Sequence, residues 1–138
     1  MYQAAYSRLV GLAYLTTGTN ALAEEIVQDA FVDLFRSWHA VRQPEAWVRR
    51  AVVSRCTSWV RRRALERRHR DQWCGDEPIV HDELAVAVRS ALHVLSPRQR
   101  VAVVLRFRDD LSEAEIASAL GCRPGTVKSL WRVVARSQ

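Results

Sequence analysis

The chain is poor in the features that would place it in a membrane, a secreted scaffold or a hydrolase. No run of about 18 apolar residues occurs in its 138 positions, so no membrane-spanning helix is expected. The opening "MYQAAYSRLVGLAYLTTG" lacks the basic start and small-residue cleavage site of a signal peptide. It has three cysteines, Cys56, Cys74 and Cys122, an odd number set far apart. That usage suits a reducing cytoplasm rather than a disulfide framework. Neither CxxC nor HxxxC spacing is present, and His39, His69, His81 and His93 show no metal-ligand pattern, so no metal and no cofactor is expected. There is no glycine-rich phosphate loop, and Cys56 lies on an apolar stripe with no histidine near it in sequence, which argues against an enzyme. Also missing are strand-like alternation and an Asn-Gly hairpin signal.

What is present is charge in blocks. The net charge is +6 and the isoelectric point about 10.0. Residues 1–46 carry three Arg against five acids (−2), and residues 47–70 nine Arg against one Glu (+8). Residues 71–97 carry one Arg against five acids (−4), and residues 98–138 eight basic residues against four acids (+4). Two basic blocks divided by an acidic stretch are the footprint of a polyanion binder with two contact surfaces.

The apolar spacing is helical throughout and predicts an all-α protein. Tyr6, Leu9, Val10, Ala13 and Tyr14 mark a first helix. After "TTGTN", with Gly18 at the turn and Thr19 or Asn20 as cap, a second helix holds Glu24 and Glu25 in its first turn. Its stripe is Val27, Ala30, Phe31, Leu34 and Trp38. Pro44 opens a third helix that runs through the arginine block. The stretch "DQWCGDEPIVH" has no period and reads as a linker. Helical spacing resumes at Leu84, Val88, Ala91, Leu92 and Leu95, followed by two capping boxes, Ser96 with Gln99 and Ser112 with Glu115.

The segment "ALGCRPGTVKSLW" then has the form of a helix-turn-helix. Ala117, Gly121 and Val127 carry its spacing, and Pro124 starts the second helix. Val127, Trp131 and Val134 are expected to face inward, leaving Thr126, Lys128, Ser129, Arg132 and Arg136 outside, suited to a major groove. On the third helix, Val48, Val52, Cys56, Trp59 and Val60 form one side. Arg50, Ser54, Thr57, Ser58, Arg61 and Arg62 form the other, a face of guanidinium and hydroxyl groups able to pair phosphates and bond bases. Trp47 and Trp59 are candidate stacking platforms, with at least one expected in the core. Because a duplex groove already suits the C-terminal module, this second face invites another DNA form, with single-stranded or melting DNA as the natural candidate.

The segments "AEEIVQDAFVDLFRSW", "PEAWVRRAVVSRCTSWVRRR" and "LSPRQRVAVVLRFRDDLSEAEIASALGCRPGTVKS" resemble bacterial extracytoplasmic-function RNA polymerase sigma factors, most of all the short actinobacterial kind. The resemblance implies two small helical domains: sigma domain two at residues 1–70 and sigma domain four at residues 84–138, joined by a flexible linker at 71–83. It implies a cytoplasmic protein that binds the β′ clamp helices and β-flap of core RNA polymerase and directs transcription initiation at promoter DNA. An anti-sigma factor is a further candidate partner. Carried over, the polymerase-facing residues are Glu25, Gln28, Asp29 and Asp33. The −10 surface falls on Arg49, Arg50, Ser54, Arg55, Ser58, Arg61 and Arg62, and the −35 surface on Arg123, Thr126, Lys128, Ser129 and Arg132.

The chain departs from the family pattern in places. Ser54 stands where Asn is usual, Arg123 where Ser is usual, and Leu130 and Val133 where basic residues are usual. A one-residue deletion in this stretch gives a second alignment, in which position 130 points inward. A helix-turn-helix regulator that does not bind core polymerase shares the C-terminal motif. It leaves the acidic-faced and arginine-rich helices unexplained.

Overall fold

The computed structural model describes residues 2–69 and 83–136, and all regular structure among them is helical. Three long helices come first: α1 (Tyr2–Thr17), α2 (Asn20–Arg36) and α3 (Pro44–His69). Four shorter ones follow: α4 (Glu83–His93), α5 (Pro97–Phe107), α6 (Glu113–Leu120) and α7 (Pro124–Arg136). The expected linker at 71–83 lies almost wholly outside the described residues.

Local chemistry explains the boundaries. Gly18 takes φ 87°, a left-handed conformation that ends α1, and Thr19 caps α2 by accepting from the Leu22 amide at 3.1 Å. Since α2 begins at Asn20, Glu24 and Glu25 sit one turn further in than their charge suggested. The helix also stops at Arg36, where the Ser37 amide donates back to the Asp33 and Leu34 carbonyls. Trp38 therefore leaves the apolar stripe, falls in a short 3-10 turn and is 47% exposed. Both capping boxes form. Ser96 and Gln99 exchange bonds of 3.3 and 2.9 Å, Ser112 and Glu115 bonds of 3.2 and 3.1 Å.

α1, α2 and α3 pack on one another through Leu9, Leu12, Ala13, Val27, Ala30, Phe31, Leu34, Val48, Val52, Val53 and Cys56, all buried. Leu12 and Val53 join this core although they lay outside the stripes read from spacing. Thr16 and Thr17 are buried as well, their hydroxyls donating to the Leu12 and Ala13 carbonyls at 2.8 Å. In the C-terminal half, Val101, Ala102, Leu105, Ile116, Ala117 and Val127 are buried between α5, α6 and α7. The two halves meet. α5 packs on α1 and α3, α6 packs on α3, and the buried residues form one continuous core.

Candidate nucleic-acid interface

The helix-turn-helix is built as its spacing predicts. Gly121 adopts φ 67° at the end of α6, and the Cys122 amide donates to the Ala117 carbonyl at 3.0 Å, closing the helix. A side chain at 121 would meet only Arg50, with 3.5 Å to its Nη2, so the backbone angle rather than crowding requires glycine there. Val127 is fully buried and Ala117 nearly so, both in the core shared by α6 and α7, which pack on each other. Arg123, Lys128, Ser129 and Arg132 are exposed and Thr126 is half-buried, so α7 presents the five predicted residues on its outer side and N-terminal turn. The Ser129 hydroxyl donates to the Gly125 carbonyl at 3.1 Å, which leaves its lone pairs for a donor. Trp131 is half-buried and meets Phe107 edge-on at 6.2 Å. Leu130 is half-buried too, and packs against the core. The side chains of Val133, Val134 and Arg136 lie outside the described residues.

On α3, Arg50, Ser54, Ser58, Arg61 and Arg62 are exposed along one side. Two of the seven arginine and serine candidates behave differently. Arg55 turns toward α2 and pairs with Asp33, joining a residue predicted to face DNA with one predicted to face polymerase. Asp33 also lies 4.0 Å from Arg36. Arg49 is half-buried and turned toward α6, where it shares a groove with Glu115, Ser118 and Ala119. The Thr57 hydroxyl is used locally, donating to the Val53 carbonyl at 3.0 Å.

The tryptophans divide as well. Trp47 is packed against the core, whereas Trp59 faces a cavity of about 520 Å³ with the Arg63 guanidinium 5.9 Å from its ring centroid. Glu25, Gln28 and Asp29 are exposed together on α2, and Gln28 donates to the Tyr6 hydroxyl at 3.3 Å.

Burial pushes the Cys56 thiol up to about 12, so at neutral pH it is a protonated core side chain with no nucleophilic character. The Glu115 carboxyl is held below its ordinary range by the Ser112 backbone amide and hydroxyl. No grouping of three or more metal-ligating side chains occurs among the described residues.

Sequence reasoning missed Arg100. It is buried on α5 and donates from Nε to the Leu92 carbonyl at 2.9 Å and from Nη1 to the Thr16 carbonyl of α1 at 2.5 Å. No local pattern distinguishes it from half-buried Arg98 beside it or from exposed Arg106 and Arg108 further along. Also missed was a row of rings, Tyr6, Phe31, Phe35 and Trp38, with successive centroids 6.2–6.4 Å apart.

Comparison with known proteins accounts for this arrangement. Residues 1–66 match the family model of Sigma-70 region 2, and residues 85–131 that of Sigma-70, region 4. The RNA polymerase sigma-E factor of Streptomyces avermitilis is 36% identical over 122 residues, covering 83% of this chain and 68% of that protein. The ECF RNA polymerase sigma factor SigM of Mycobacterium tuberculosis is 34% identical over 137 residues, covering 94% and 68%. Among solved structures, the sigma factor RpoE in complex with the anti-sigma factor NepR from Bartonella quintana shares the fold. Its TM-score is 0.73 at 23% identity, covering 93% of this chain and 85% of that one. Two sigma regions in order on one helical chain, with relatives of this closeness, place it: the chain belongs to the extracytoplasmic-function RNA polymerase sigma factors.

Proposed function

We propose that the protein binds core RNA polymerase and directs it to promoters, acting as a specificity subunit rather than an enzyme. One observation carries the reading: α3 and α7, on different halves of the chain, each expose a basic, hydroxyl-bearing face suited to a different DNA form. On α7, Lys128 is a point charge for a phosphate, while Arg132 has the fork geometry for a guanine edge. Arg123 and Thr126 at the helix start anchor the backbone of a −35 duplex. On α3, Arg50, Ser54, Ser58, Arg61 and Arg62 line a path for the separated −10 strand, with Trp59 beside it as the available stacking surface. The charged side of α2, with Glu25, Gln28 and Asp29, is the surface for a basic element of polymerase. Asp33 supports it from the side through its pairing with Arg55.

Residues 1–70 and 84–138 act in this reading as the two promoter-reading domains, and the protein works in the cytoplasm, where polymerase and DNA are. An anti-sigma protein remains a partner by family resemblance. Affinity-tagged protein, incubated with core polymerase, is expected to retain β and β′ through gel filtration. A helix-turn-helix regulator of the ordinary kind would elute alone.

A further inference from the structure

Two faces read as serving different partners meet at one ion pair. On α2, Glu25, Asp29 and Asp33 follow one another at one-turn spacing, and Asp33 is the last of them before the helix ends at Arg36. On α3, Arg55, Ser58 and Arg62 share one side of the helix, so Arg55 opens the row that runs on to Arg62. The two rows touch where the Arg55 Nη2 donates to the Asp33 Oδ2. The side chains of Arg55 and Asp33 keep 34% and 39% of their surface exposed, so a partner arriving on either helix can reach the pair.

The pair is only half made. A guanidinium presents a fork of donors that matches two acceptor oxygens. Arg55 commits one arm of its fork to Asp33, while its Nη1 is buried with no hydrogen-bond acceptor among the described residues. The carboxylate is divided as well, since the Asp33 Oδ1 lies 4.0 Å from the Arg36 guanidinium. A buried donor left unmade is costly, so an anion able to take both arms competes well with Asp33 for Arg55. A phosphodiester, with two free oxygens, is such an anion.

We propose that docking of core polymerase on α2 exchanges the partners of this pair. A basic side chain of the polymerase takes the Asp33 carboxylate, and Arg55 turns to a phosphate of the −10 strand. One ion pair is replaced by two, and every charge keeps a partner. In the free chain Asp33 is thus a positioning residue that holds Arg55 back from DNA. The coupling is reciprocal: a strand phosphate that takes Arg55 frees Asp33 and strengthens polymerase binding by the same factor. This rests on the reading of α2 as the polymerase face and α3 as the −10 face.

The test uses the full-length chain, alone and bound to core polymerase, with an oligothymidylate of about 12 nucleotides and affinity read by fluorescence anisotropy. Core polymerase alone supplies the baseline for the complex. In the free chain Asp33→Asn should tighten binding by about two- to fivefold, the range that one partly exposed ion pair accounts for. The gain should vanish in an Arg55→Ala background. Asp29→Asn, the same charge change one turn earlier, should give little of it. Arg55→Ala by itself should cost the free chain less than about twofold, because Asp33 already holds that charge, and should cost the polymerase complex about two- to fivefold. No gain with Asp33→Asn, a gain that persists without Arg55, or an equal gain with Asp29→Asn overturns the holding role of Asp33. An equal cost of Arg55→Ala in the free chain and the complex overturns the exchange. Arg61→Ala with Arg62→Ala is scored separately in the free chain. If that variant binds the oligonucleotide as tightly as the parent, the −10 reading of α3 fails and the proposal with it. If it binds more weakly while the Asp33–Arg55 cycle is null, only the exchange fails.

Discussion

Leu130→Arg is the most informative single change in domain four, because the family places a basic residue after "VKS" and this chain does not. Leu130 is half-buried and packs against the core, so its side chain contributes to domain stability rather than to the outer face of α7. Fully burying a leucine is worth about 1.5–3 kcal/mol, and half of that is about 1 kcal/mol. An arginine there retains some contact through its methylene stem and carries its guanidinium out to water, which keeps the loss near that figure. In a chain of this size such a loss lowers the melting temperature by about 4 °C. The assay pairs a thermal melt with the affinity of the polymerase complex for a −35 duplex. The structure predicts a lower melting temperature and no gain in affinity. An unchanged melting temperature together with tighter DNA binding would show that position 130 faces the groove, and would refute the inward placement of Leu130.

Other substitutions separate the surfaces. Asp29→Arg should abolish retention of core polymerase without shifting the melt; Asp33→Arg should also lose the partly exposed pair with Arg55, about 0.2–1 kcal/mol, seen as a slightly lower melting temperature. Lys128→Ala should weaken binding to all −35 sequences alike and flatten the salt dependence by about one unit, whereas Arg132→Ala should cost about 1–3 kcal/mol and relax preference at one or two base positions, both read by titration against a duplex panel. Arg61→Ala with Arg62→Ala should leave −35 duplex binding by the polymerase complex largely in place and reduce open-complex formation in a permanganate footprint, and a pre-melted −10 bubble should restore only part of the loss.

Much of this molecule is written locally. The capping boxes at Ser96 and Ser112, the left-handed glycine at 121 and the proline at 124 each act within a few residues, and all fall where their spacing put them. The outer residues of α7 followed, since a helix with a fixed start and one buried valine has its faces determined. What spacing did not reveal depends on partners far away in sequence. Arg100 reaches a carbonyl 84 positions distant, and nothing around "SPRQR" separates it from an exposed arginine. Arg55 resembles a strand contact by position, yet Asp33, 22 residues earlier, captures it across the α2–α3 contact. Trp38 continues the apolar period of α2, but the helix ends two residues before it, because Ser37 closes the last turn. The cover that α6 places over Arg49 is a property of how two halves pack, to which neither half's pattern refers.

The central claim, that this chain gives core polymerase its promoter specificity, is tested most directly by transcription from a randomised promoter library with core polymerase in the presence and absence of the protein. The account predicts transcripts that depend on the protein and share a −10 and a −35 element, and that disappear with Asp29→Arg. Transcripts unaffected by the protein, or dependent on it but sharing no paired elements, would contradict it.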